Sequence, residues 1–165
     1  MSIDPFLVWL ESTALSTWVV ESESMLAFPG ILALHAIGMG LAAGLAAVVD
    51  LRILRVARGV PLVEFRRFQP VLWAGFWLYA VSGVLLLVGY PTKALTNPVF
   101  YLKLVLIAVA MVLYVRIDRL IRNGDATSPG TARTLTRFAI TSLVCWGGAI
   151  TAGRLLAYTY QRMRV

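Results

Sequence analysis

The chain reads as an all-α integral membrane protein, a four-helix bundle with a short N-terminal interfacial helix. Three observations predict this class. Hydrophobic residues make up 59% of the 165 positions and charged residues 14%, with a mean hydropathy of +0.80, a composition that a soluble domain of this length could not cover with polar surface. Four apolar stretches are long enough, with modest extension, to cross about 30 Å of hydrocarbon at roughly 1.5 Å per residue. Basic residues concentrate in two of the connections between those stretches.

The interfacial helix is expected over about residues 5–20. Asp4 followed by Pro5 suits an N-cap and first helical position. Phe6, Trp9, Leu10, Leu15, Trp18 and Val19 interleave with Glu11, Ser12 and Ser16, a pattern for a helix lying at the membrane surface with tryptophans at headgroup level. Asp4, Glu11, Glu21 and Glu23 stand where a signal peptide would carry positive charge, so residues 1–27 are expected to remain in the mature protein.

The spans fall at about 29–50, 69–90, 97–117 and 138–160, all within a single transmembrane domain over 1–165. In the first, His35 is the only strongly polar residue between Ile31 and Val49, and the second lies in the charge-free stretch between Arg67 and Lys93. The others are less clean: only Leu104 to Val115 separates Lys103 from Arg116, and only Phe138 to Gly153 separates Arg137 from Arg154. Full-length spans therefore draw Lys103 and Arg154 into the membrane, at a cost of about 2.5 kcal/mol or more for a cation at the centre, and such residues mark functional sites. Between the spans, Gly59, Val60 and Pro61 break the first connection, Pro91 to Pro98 forms a short outer loop, and Asn123 to Thr134, with Ser128, Pro129 and Gly130, reads as a flexible inner loop.

The net charge of +7 follows topology. The first connection carries Arg52, Arg55, Arg58, Arg66 and Arg67, and the third carries Arg116, Arg119, Arg122, Arg133 and Arg137. This excess marks the cytoplasmic side and predicts both termini outside. Contact with anionic lipid accounts for the charge, and its distribution argues against nucleic acid.

Three polar residues share a depth. His35 lies six residues after Pro29, Lys103 six after Asn97, and Arg154 six before Tyr160, each about 9 Å below the outer boundary. Tyr79 and Ser82, on the second span, lie somewhat deeper in the same half. A neutral imidazole is a good axial ligand to haem iron, and nearby cations could pair with propionates or another anion. Gly38, Gly40 and Gly44 would let a flat macrocycle or a neighbouring helix approach; Gly40 to Gly44 also reads as a small-xxx-small helix contact. The competing readings are a hydrogen-bonded structural histidine, and cations that snorkel to headgroups.

Other residues have plainer expectations. Cys145 packs in the core, as does Met39. Asp50 beside Arg52, and Asp118 between Arg116 and Arg119, read as boundary ion pairs, with proton entry as the alternative. Trp73, Phe76, Trp77 and Trp146 read as packing or interfacial anchors. Soft copper ligands are sparse near the outer face, limited to Met25, His35 and Met39. The two halves also match faintly at an offset of seventy residues: Leu51-Arg52 with Ile121-Arg122, Arg67-Phe68 with Arg137-Phe138, Gly83 with Gly153, and Leu85-Leu86 with Leu155-Leu156, as a parallel duplication would produce.

The series Leu34-His35-Ala36-Ile37-Gly38, Asp50-Leu51-Arg52, Arg66-Arg67-Phe68 with Pro70, Gly75, Ser82-Gly83, Asn97-Pro98 to Phe100 with Lys103-Leu104, and Gly153-Arg154 with Ala157-Tyr158 resembles an uncharacterised family of small four-span bacterial integral membrane proteins. More distantly, the first and third spans resemble HemJ-type protoporphyrinogen oxidases and CopD-type copper-resistance membrane proteins. The resemblance implies the bacterial inner membrane, haem b, His35 as its ligand and Lys103 as its companion. The Asn-Glu-x-Pro segment of the oxidases is absent, and so is a second transmembrane histidine, so bis-histidine ligation within one chain is not expected. The functional expectation is a membrane haem b protein with a redox or electron-transfer role, using a quinone or an outer-face soluble protein as partner. The alternatives are a transport or accessory protein, copper-linked or not, that receives an anionic solute or lipid on Lys103 and Arg154, and an oligomeric scaffold assembled from copies of the chain.

Overall fold

Each long helix begins on a proline, the residue whose fixed φ and missing N–H suit the first turn. Pro29 opens α3 (Phe28–Ile53), Pro70 opens α4 (Gln69–Gly89), Pro98 opens α6 (Pro98–Arg122) and Pro129 opens α7 (Pro129–Arg162). Shorter elements complete the chain: α1 (Pro5–Glu11), α2 (Ala14–Glu21) and α5 (Pro91–Leu95), with a 3-10 helix over Leu62–Phe68. This is a computed structural model, and it describes residues 5–56, 59, 61–122 and 129–162, among which there is no strand. Four of the helices are long and apolar enough to cross a membrane, and the protein is a multi-pass all-α membrane protein.

The bundle is two helical hairpins, α3–α4 and α6–α7, joined chiefly through α3 and α7; α4 and α6 barely touch. Backbones come closest between α3 and α4. A Cβ built on Gly38 would lie 2.5 Å from the Tyr79 nitrogen, and one on Gly75 would lie 2.5 Å from Leu41 Cβ, so only glycine permits this approach. Between the hairpins, Ala42, Ala43 and Ala46 of α3 and Cys145, Trp146 and Ala149 of α7 join one buried cluster with Ile107, Ala110 and Met111 of α6. Cys145 is therefore a core residue, and Met39 packs against that core.

Four boundaries depart from the sequence expectation. The interfacial helix is broken in two, because the Ser12 and Thr13 hydroxyls bond back to Trp9 and Leu10 carbonyls at 2.8 Å each while Thr13 caps α2 by accepting from the Ser16 amide. α2 is also docked rather than free: Ser16 and Val19 are buried, and Val19 fills the space left by Gly89 of α4. The first long helix stops before Gly59. Arg55 takes φ 70°, with Val56 N–H donating to Leu51 and Arg55 N–H to Arg52, the bond pattern of a Schellman cap built without glycine. Finally, α5 forms within the Pro91 to Pro98 loop, and α7 starts at Pro129, which makes Gly130 to Thr134 helical rather than loop. Asp4, Val60 and Ser128, assigned from sequence to a cap, a break and a loop, lie outside the described residues.

Candidate functional site

His35 stands on α3 facing α4, and its neighbours there decide its chemistry. Nδ1 lies 3.1 Å from the Tyr79 carbonyl oxygen and 3.1 Å from Ser82 Oγ. The carbonyl can only accept, and the Ser82 hydroxyl donates to the Leu78 carbonyl at 2.6 Å, so the consistent assignment puts the ring proton on Nδ1. Nε2 is then the lone-pair nitrogen. A backbone carbonyl holding one imidazole nitrogen so that the other can ligate is the support that metal-bound histidines use.

The α4 backbone is reachable because Gly83 lies beside it. A Cβ there would sit 3.1 Å from His35 Cε1, close enough to push the ring out of place. The imidazole also stacks on the buried Tyr79 ring, centroids 4.3 Å apart and planes 30° apart. Lys103 of α6 approaches the same ring, its Nζ 5.4 Å from the Tyr79 centroid, within cation–π range. From α7, Gly153 faces that lysine: a Cβ on it would lie in ordinary contact, 3.6 Å from Nζ. His35, Tyr79, Ser82 and Lys103 thus form one group, to which all four spans contribute once Gly83 and Gly153 are included.

Arg154 stands outside the group. It is exposed while Gly153 faces Lys103, because one residue turns the side-chain direction by about 100° on a helix. Its position suits snorkelling toward a membrane surface. Gly38 is likewise no cofactor surface: its Cα face is occupied by the α4 backbone. Gly40 and Gly44, the small-xxx-small pair, have open space where a Cβ would be, so the helix contact is made by Gly38 with Gly75 instead. Gly83 and Gly153 carried one signal in the sequence, as a matched pair at the seventy-residue offset.

At the arginine-rich end Asp118 departs from the expected boundary pair. Asp118 bonds neither Arg116 nor Arg119; it takes Arg66 Nε at 3.4 Å, the Arg122 guanidinium at 3.2 Å and Gln69 Nε2 at 3.3 Å. Asp50 turns inward, 2% exposed, with its carboxyl facing the Ser142 hydroxyl of α7. That pair falls short of a formed hydrogen bond: Asp50 Oδ2, Ser142 Oγ and, one turn further along α7, Trp146 Nε1 are buried without partners among the described residues. Trp146 is a core residue, whereas Trp77 is 62% exposed.

No family model, curated protein or solved structure matches this chain, so the resemblance drawn above rests on the residues that carry it.

Proposed function

We propose that this is a membrane haem b protein with a redox or electron-transfer role, its site in the outer half of the bundle. The observation that supports it is the anchoring of His35 Nδ1 on Tyr79 and Ser82, which presents Nε2 as a ligand nitrogen. Among the described residues no three His, Cys, Asp or Glu side chains gather to hold a bare metal ion. A lone imidazole suits a porphyrin, which brings four ligands of its own to the iron. His35 would hold the iron and Lys103 would pair with a carboxylate of the macrocycle; haem, when bound, supplies one-electron chemistry at its iron. This chain's residues fix the imidazole and place one positive charge beside it, over the Tyr79 ring. Both termini lie outside, in a bacterial inner membrane, and the electron partner is a quinone or an outer-face protein.

Protein purified in mild detergent should show a Soret band that disappears in His35→Ala while helicity is retained. Lys103→Met should retain haem at least tenfold less well, as the loss of one charge-assisted hydrogen bond implies. A wild-type preparation that stays colourless after haem supplementation would overturn the reading. Reporter fusions at Val165 and within residues 123–134 should report opposite compartments.

A second reading is favoured by Lys103 itself. Among the described residues it lies over an aromatic ring and forms no ion pair with a carboxylate, and a cation so placed attracts an anion. On this reading the protein is a transport or accessory protein, copper-linked or not, taking an anionic solute or lipid. It predicts a colourless protein whose thermal stability rises with that anion in wild type and not in Lys103→Met.

A further inference from the structure

We propose that a crevice at the arginine-rich end holds one anionic glycerophospholipid, an acyl chain lying between α3, α4 and α6 and the phosphodiester resting on Arg66 and Arg122. The crevice lies between α3 and α6 against the 3-10 helix, and Leu72 at the start of α4 joins its wall. Its apolar part, about 230 Å³, is walled by Leu45, Val48, Phe65, Phe68, Leu72 and Tyr114. That is below the roughly 300 Å³ at which small-molecule pockets begin, and it is open, which suits a length of hydrocarbon chain lying in a groove.

Phe65 and Tyr114 continue into a second, smaller space whose rim is Arg66 and Asp118. The crevice therefore runs from wholly apolar to charged, the polarity of an amphiphile. Depth agrees with this: Asp118 is twenty residues along α6 from Pro98, about 30 Å or one hydrocarbon thickness, so the charged rim lies where headgroups lie.

Charge selects the head. Two arginines and one aspartate leave a single positive charge, which one phosphodiester neutralises. Arg66 uses Nε, and Arg122 one terminal nitrogen, on Asp118, and each guanidinium has five N–H groups in all. Both side chains are near half-exposed, at 40% and 46%, so the remaining donors face outward. Asp118 is 8% exposed and is held by Gln69 as well; it fixes both forks in place for a bidentate oxyanion contact.

The test uses the full chain, stripped of lipid in detergent and offered phosphatidylglycerol or phosphatidylcholine, with bound lipid read by native mass spectrometry and stability by thermal unfolding. Phosphatidylglycerol should be retained and raise the melting temperature. Arg66→Gln with Arg122→Gln should weaken retention by about tenfold for each arginine. Val48→Phe, which fills the groove and leaves every charge in place, should weaken it as well, and it carries the test if the double arginine variant fails to fold. Exposed Arg133 and Arg137 on α7 supply the control: changing both to Gln removes the same charge and should change retention less than twofold. Equal loss in that control would reduce the effect to surface potential and overturn the proposal. So would equal binding of phosphatidylcholine, or equal stabilisation by inorganic phosphate.

Discussion

The two hairpins solve the same problem in different ways. In α3–α4 a histidine lies against Gly83, and the helix backbones meet directly at Gly38 and Gly75; in α6–α7 a lysine lies against Gly153, and the close contact is Leu106 entering the gap at Gly148. Each hairpin thus presents one polar residue over a glycine of its second helix. The partnering differs. His35 is tied to the α4 backbone and to Ser82 by hydrogen bonds, whereas Lys103 is held by ring and packing contacts. The first arrangement fixes a direction, as a ligand requires; the second places a charge without such a directional bond. A directional contact needs tighter sterics than a point charge does, and the glycine spacings, 3.1 Å at Gly83 against 3.6 Å at Gly153, follow that order.

The contrast can be broken most severely at Gly38. Gly38→Ala forces a Cβ into the α4 backbone, where nothing flexible can yield, and should cost about 3 kcal/mol of stability through overpacking, read as a fall in thermal midpoint in detergent. Ser82→Ala comes next: it removes one of the two partners of His35 Nδ1 and should cost about 1 kcal/mol. It should also shift the Soret maximum if His35 is the iron ligand. Gly83→Ala pits a helix-propensity gain of up to about 1 kcal/mol against the displaced imidazole. Stability should therefore move little while haem retention falls, so that the two readouts separate. Gly153→Ala meets Lys103 at ordinary contact distance and should leave haem retention unchanged while stabilising the helix by about 0.5 kcal/mol. If Gly83→Ala and Gly153→Ala behave alike in both readouts, the distinction between a directed and an undirected polar residue is lost.

The spans and their order were legible because apolar length and arginine placement are properties of sequence alone, and the shared depth of His35 and Lys103 followed from counting along helices. Arg154 was misjudged by the same count: depth is cumulative along a helix, but facing changes completely over a single residue, and nothing in the sequence showed that Gly153 and not Arg154 turned inward. The Asp118 network was hidden because its partners, Arg66 and Gln69, come from the 3-10 helix and the start of α4, a pairing across about fifty residues that only the fold creates. Arg55 illustrates a third limit. Gly59 and Pro61 looked like the terminators of the first long helix, yet the chain closes its cap several residues earlier on an arginine in the left-handed region. Asp50 was legible as a boundary acid but not as a buried one, since its inward facing depends on the small residues of α3 and on Ser142 across from it.

The sparse contact between α4 and α6 has a kinetic consequence. Separating those two helices breaks side-chain contacts, such as Lys103 on Tyr79 and Gln69 with Asp118, whereas parting α3 from α4, or α6 from α7, would undo an extensive backbone-close interface. The soft coordinate of the bundle is therefore a sideways parting of the hairpins, hinged along α3 and α7, and it opens into the lipid rather than into water. Tyr79 and Lys103 lie at one end of that seam and the arginine-rimmed crevice at the other. A hydrophobic molecule dissolved in the bilayer would find its doorway there, and its rate of entry would depend on membrane composition and lateral pressure.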